Sequence, residues 1–252
     1  MVFVNEVADI VHGITNHYLG SPNKNIGDAF LLVWKFNPED CKNVNGEIEV
    51  RDTPSATRMA DMAAVSFMLI IAAINKSKKV AKYRKYPALN KRMPNYRVRM
   101  GFGIHAGWAI EGAIGSEYKI DASYISPHVN LTMALEEATK IYGVPYVISE
   151  HYYKLISKEL QDSMRPLDRV EIPGFEGPTT IYTFDMDINK LQVDDKDEPI
   201  LGKEDTVLQR IHERKRRECI AKATTLGRYN IKSKLLNDPD IVKMHKQFSD
   251  VF

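Results

Sequence analysis

Residues 62–75, MAAVSFMLIIAAIN, contain no charged side chain and only two polar ones, Ser66 and Asn75. A helix that is apolar all round has to be covered on every side. The run is fourteen residues long, and a bilayer span needs about 20. The expectation is therefore a central buried helix, with the rest of the chain built around it. Thr53-Pro54-Ser55 supplies a start signal, and the helix is expected over 56–79. A chain of 252 residues fits one large domain, or one domain with an appendage. Its 44% hydrophobic and 27% charged content is that of a globular protein. This excludes global disorder, a collagen-like repeat and a membrane-embedded body. Cys41 and Cys219 cannot make a disulfide framework, and no Cys/His group has zinc-site spacing. The first residues carry Glu6 and Asp9 and lack the basic start of a signal peptide. The expected setting is intracellular and cytoplasmic, with a larger assembly at a membrane or the cytoskeleton as the alternative.

Val4, Val7, Ile10, Val11 and Ile14 recur at helical spacing, so 2–18 reads as an amphipathic helix. Residues 23–36 read as strand, tight turn, strand, with Gly27 allowing the turn. A short strand is expected at 47–50. Tyr96 to His105 alternates, and a turn at Ala106-Gly107 would bring 108–115 back as a second hairpin. Pro127 precedes a helix over 128–142. A strand at 144–149, a helix at 150–161 and closing strands at 167–172 and 180–184 complete the pattern. The whole predicts an α+β arrangement of helices on a largely antiparallel sheet. From Asp187 the composition turns polar. A domain over 1–186 is expected to be followed by a linker and a charged, partly helical tail over 187–252, with a helix at 203–226 ending at Gly227.

Three segments carry more than pattern: NKNIGDAF at 23–30, MGFGIHAG at 100–107, and GAIG at 112–115 continuing to SPHVN at 126–130. In this order and spacing they resemble the catalytic domain of class III nucleotidyl (adenylate/guanylate) cyclases, in the long-loop form found in protists, over about residues 1–185. The resemblance implies a ferredoxin-like βαββαβ core. It implies conversion of a nucleoside triphosphate to its 3′,5′-cyclic monophosphate and pyrophosphate, at an interface between two such domains. It also implies Mg²⁺ or Mn²⁺ as cofactor, because carboxylate-held divalent ions lower the pKa of the attacking hydroxyl and neutralise the triphosphate.

Residue by residue, the resemblance makes Asp28 a metal ligand. Taken alone, Gly27-Asp28 also suits plain hairpin closure. Lys24 falls at a base-reading position, where an ammonium can donate to adenine N1, an acceptor, whereas guanine N1 is a donor. Ser123 falls at the second base-reading position and can accept from the adenine amino group, with Asp121 as the alternative in a register shifted by two. The pair favours ATP over GTP. Asn130 matches the asparagine that orients the ribose, though a polar residue in a first helical turn is common in any case.

The sequence also departs from the pattern. Ala134 stands where the resemblance implies an arginine on the triphosphate, and no Arg occurs within 129–142. Glu171-Ile172-Pro173 replaces a lysine-bearing turn. The chain starts inside the first helix of the pattern, so the implied first strand, with the other metal carboxylate, is expected to be supplied upstream or by another polypeptide. These departures raise the alternative of a catalytically impaired cyclase-homology module acting as a regulatory or structural partner.

Residues 62–110 contain no Asp or Glu and ten Lys or Arg, interleaved with Tyr83, Tyr86 and Tyr96. A second basic cluster lies at 210–217, opposed only by Glu213. Solvated helix ends are the simplest account of the first. For the tail an acidic protein or membrane surface is an equal alternative. Nucleic acid is the least favoured partner.

Overall fold

The structure is a computed structural model and describes residues 2–94, 96, 98–173, 175 and 177–185. The expected linker and tail over 187–252, with its helix, Gly227, Cys219 and the cluster at 210–217, lie outside the described residues.

Helix α1 (Val2–His17) turns Val7, Val11 and Ile14 inward, as its spacing requires. It leads into an antiparallel hairpin of β1 (Ser21–Ile26) and β2 (Ala29–Val33), closed by Gly27 at φ +66°. A second hairpin follows, β3 (Cys41–Val44) with β4 (Glu47–Val50). Only its second strand was expected from the sequence. Helix α2 (Pro54–Lys76) then runs through the centre of the molecule. Thr53 caps it, its Oγ1 accepting from Ala56 N at 3.1 Å, and Pro54 occupies the first turn, where no N–H is needed. At 23 residues the helix is long and apolar enough to cross a membrane, but 78% of its apolar window is buried inside the fold. The expected continuation to 79 stops at Lys76, because Ser77 caps a separate short helix, α3 (Lys78–Ala81). A 3₁₀ turn and α4 (Pro87–Arg92) complete this segment.

The expected strand over 96–105 condenses to β5 (Phe102–Ile104). The expected hairpin turn at Ala106-Gly107 does not form. A Cβ on Gly107 would lie 2.2 Å from the His128 ring, so that turn is packed against the following helix. The strand β6 (Ile110–Ser116) pairs instead with β7 (Lys119–Ile125). Helix α5 (Pro127–Tyr142) has Ser126 as N-cap and Gly143, at φ +68°, as C-cap. It is followed by β8 (Tyr146–Ser149), α6 (Glu150–Tyr153), α7 (Lys158–Gln161), β9 (Arg165–Val170) and β10 (Thr179–Thr183). The single helix expected over 150–161 is broken because Ser157 N donates to the buried Asp61 carboxylate of α2, at 2.8 Å.

The main sheet runs β5-β8-β10-β9, parallel between β5 and β8 and antiparallel elsewhere. Helix α5 lies directly on β5 because Gly103 lets the two backbones meet. The architecture is α+β, and α1, β1, β2, α2 and β5 follow the order of the last five elements of a βαββαβ unit. Among the described residues no strand lies between β2 and β5. They face each other across an apolar cavity of about 160 Å³, floored by Met59, Ala60, Ala63 and Phe67 of α2. The rings of Trp34, Phe67 and Phe102 span this gap in sequence, with centroids 5.4 and 5.0 Å apart.

Candidate functional site

The β1–β2 hairpin is not regular. Its register shifts between Pro22 and Lys24, a bulge at Asn23 that re-aims the side chains beyond it. Lys24 Nζ consequently reaches across to β7 and donates to Ser123 Oγ at 2.8 Å. Asn23 Nδ2 donates to the neighbouring Ala122 carbonyl at 3.4 Å. Two residues 99 positions apart, both singled out in the sequence analysis, thus meet side by side. Ser123 is 8% exposed, whereas Asp121 is exposed and paired with Lys119 at 2.9 Å. The serine, of the two alternatives, stands beside Lys24.

Asp28 sits in the hairpin turn and is exposed. Asn130 is exposed in the first turn of α5, and Ala134 stands one turn further along the same helix. Among the described residues no hydrogen bond joins Asp28 or Asn130 to the Lys24–Ser123 pair. The hairpins are fixed to each other at a second point. Lys35 Nζ lies 2.6 Å from Glu111, and Tyr124 hydroxyl donates to the same carboxylate at 2.9 Å. The Lys35 ammonium holds the Glu111 carboxyl below its usual range.

Beside this site lies a histidine cluster to which no role was assigned above. His105 Nδ1 is 2.7 Å from Ser149 Oγ, and its Nε2 is 2.8 Å from His128 Nδ1. The two imidazoles stack with centroids 5.0 Å apart. His151 and Phe175 approach His105 edge-on, each at 5.8 Å, and Trp108 approaches His128 in the same way. The signal lay in the His-Ala-Gly and Ser-Pro-His sequences, but their meeting 23 residues apart is a tertiary event.

Of two facing ring nitrogens, one carries the bonding proton and the other must not. A second proton would set N–H against N–H. Burial, then the neighbouring His128 and His151, pushes His105 down to about 3. Burial lowers His128 too, with His151 adding to it, while Glu47 opposes. His151 is itself lowered by burial, with Glu49 opposing and Lys154 assisting.

The sign follows directly. Groups that stay neutral in the folded state bind more protons when unfolded, so their contribution is complete above the ordinary value of 6.5. It is lost as pH falls from there toward about 3. The urea midpoint should hold at neutral pH and drop steadily below pH 6.5. His105→Gln should flatten that drop between 6.5 and about 5. Equal slopes for the two proteins would show that the cluster does not govern acid stability.

The residues present do not make a cation site by themselves. Among the described residues no group of three or more His, Cys, Asp or Glu could hold a metal ion. Asp28 offers one carboxylate, so a divalent ion beside it would need further ligands from outside the described residues.

No family model matches the chain. Over 87 residues, 34% of this chain, it is 32% identical to an adenylate cyclase of Anabaena cylindrica, and the match spans only 17% of that protein. The fold is similar to a bacterial light-regulated adenylyl cyclase (TM-score 0.51, 20% identity), covering 87% of this chain and 50% of that one. The adenylyl cyclase CyaB from P. aeruginosa gives a TM-score of 0.51 at 19% identity, covering 73% of this chain and 80% of that one. The catalytic core of a rhodopsin-guanylyl cyclase with converted specificity, solved with ATPαS, gives 0.50 at 21%, covering 71% and 78%. The chain thus spans about half the length of the light-regulated enzyme. Its resemblance to class III cyclase catalytic domains holds in both sequence and fold.

Proposed function

We propose, from that shared fold, that the chain is a nucleotidyl cyclase domain that takes ATP in preference to GTP and forms 3′,5′-cyclic AMP and pyrophosphate when paired with a second cyclase-type domain. The observation that carries the reading is the contact between Lys24 and Ser123 at 2.8 Å. One group donates, the other can accept, and together they match the adenine edge: Lys24 Nζ to N1, and Ser123 Oγ from the amino group. Asn130 orients the ribose through its amide. The reaction forms a bond from the ribose 3′-oxygen to the α-phosphorus and breaks the bond to the bridging β-phosphate oxygen. The hydroxyl proton passes to solvent water, and pyrophosphate leaves with the bridging oxygen. Mg²⁺ or Mn²⁺ belongs to this proposal, with Asp28 as the chain's contribution.

Pairing is supported by the β6–β7 hairpin, one face of which carries Ile110, Ile114 and Ile125, each 50–65% exposed. A patch of this kind is a normal feature of an interaction surface. The full-length protein, given ATP and Mn²⁺ alone or mixed with a second cyclase domain, should make cyclic AMP. Lys24→Glu should lower ATP use roughly tenfold to hundredfold, the cost of setting a carboxylate against an acceptor. Absence of product in every pairing would remove the reading.

A second reading, a catalytically impaired partner module, is favoured by one observation. Ala134 puts a methyl group where the transition state gathers negative charge.

A further inference from the structure

The fold treats its surface lysines in two ways. Lys35, Lys42, Lys119, Lys140, Lys154 and Lys158 each pair with a carboxylate, at 2.6 to 3.2 Å. The segment from the end of α2 through α4 does the opposite. Lys76, Lys78, Lys79, Lys85, Lys91 and Arg92 are exposed, and none makes an ion pair among the described residues. Lys82 alone is matched, by Glu6. The absence of any acid from 62 to 110 in the sequence is thus displayed as a surface whose nearest counter-charge is Glu6 of α1, bonded to Lys82 and felt by Lys79.

The segment is an ordered platform. Val80 is buried, and Tyr83 packs edge-on against Phe3 of α1 at 4.8 Å. Arg84 Nη2 donates to the Asn75 carbonyl at the end of α2, at 2.9 Å, so this cation is used internally. Asn90 Nδ2 donates to the carbonyls of Arg84 and Tyr86, closing the turn into α4. Helix α4 carries an exposed apolar residue at each end, Tyr86 at 57% and Met93 at 49%. Lys85, Lys91 and Arg92 flank them directly.

We infer that this platform docks on an anionic phospholipid surface, with the free cations facing the headgroups and Tyr86 and Met93 entering the interface. Lysines around one or two apolar side chains suit a planar bilayer, where cations attract anionic lipid and the apolar groups add buried area. Single-stranded nucleic acid favours a succession of free aromatic faces. Here Tyr83 is occupied by Phe3, which leaves Tyr86 as the exposed ring of the unit. An acidic protein surface would use the cations but has no call on the two apolar tips.

The experiment is sedimentation of the full chain with vesicles. Binding to vesicles of about 30 mol% phosphatidylserine should exceed binding to pure phosphatidylcholine at least tenfold near 0.1 M salt, and should collapse near 0.5 M. The triple substitution Lys85→Glu, Lys91→Glu, Arg92→Glu should lower anionic binding at least tenfold, with an unchanged circular dichroism spectrum. Tyr86→Ser with Met93→Ser should lower it severalfold at low salt, which a purely electrostatic contact would not show. Lys158→Glu, on a paired lysine elsewhere, should have no effect. Equal binding to both vesicles, or undiminished binding by the triple variant, would overturn the inference. So would tighter binding to DNA, RNA or an acidic peptide than to the anionic vesicles.

Discussion

Placing a guanidinium at position 134 should raise the rate of cyclic nucleotide formation by about 10²–10³-fold. Ala134 lies on α5 one turn beyond the exposed Asn130 and is itself half-buried. A long side chain there can extend past Asn130 toward solvent without entering the core. Its effect should fall on turnover, because a cation at that place meets charge that develops in the transition state more than charge already present in the bound nucleotide. Ala134→Arg should therefore raise kcat with a smaller change in KM, and Ala134→Gln, of similar length and neutral, should recover little. If the unaltered protein already turns over quickly and Ala134→Arg adds nothing, the impaired-partner reading loses its basis.

The second large effect concerns the seat of the same helix. A Cβ on Gly103 would lie 2.4 Å from the Thr132 carbonyl oxygen and 2.5 Å from Glu136 N. Both are backbone atoms inside α5, so no side-chain rotation can relieve the contact. Gly103→Ala must push helix and strand apart. The expected loss is about 3 kcal/mol or more, at the upper end for overpacking. Against a total of about 5–15 kcal/mol this is a large fraction. Gly112→Ala is the control, since nothing lies within 4 Å of its Cβ position. Thermal or urea denaturation of the two variants should separate them clearly. A Gly103→Ala protein as stable as Gly112→Ala would mean that α5 and β5 are not so closely apposed.

Helices α2 and α5 were legible because their signals are local. Thr53-Pro54 and Ser126-Pro127 open them, and Gly143 closes α5 with a left-handed residue that a side chain would strain. What was not legible depends on contacts distant in sequence. The pairing of β6 was misread because the Ala106-Gly107 turn is claimed by the His128 ring. The break between α6 and α7 depends on Asp61, 96 residues from its partner Ser157. In the site, Lys24 and Ser123 could be named only through the resemblance, since no local pattern announces a contact across 99 residues. His105 and His128 each stand in a quoted motif, but nothing local announces the bond between them.

The gap between β2 and β5 has a mechanical consequence. The hairpin that carries Lys24 and Asp28 is joined to the rest of the molecule through side chains: Lys24 to Ser123, Lys35 to Glu111, and Trp34 against Phe67. No backbone ladder among the described residues links it to the main sheet. Ladder bonds break cooperatively and resist shear, whereas edge-on ring contacts and flexible lysine contacts yield gradually. The hairpin bearing Lys24 is therefore mounted compliantly, while Asn130, on a helix seated closely against β5, is mounted rigidly. Whatever occupies or leaves the cavity would be felt first as a change in the angle between those two mountings.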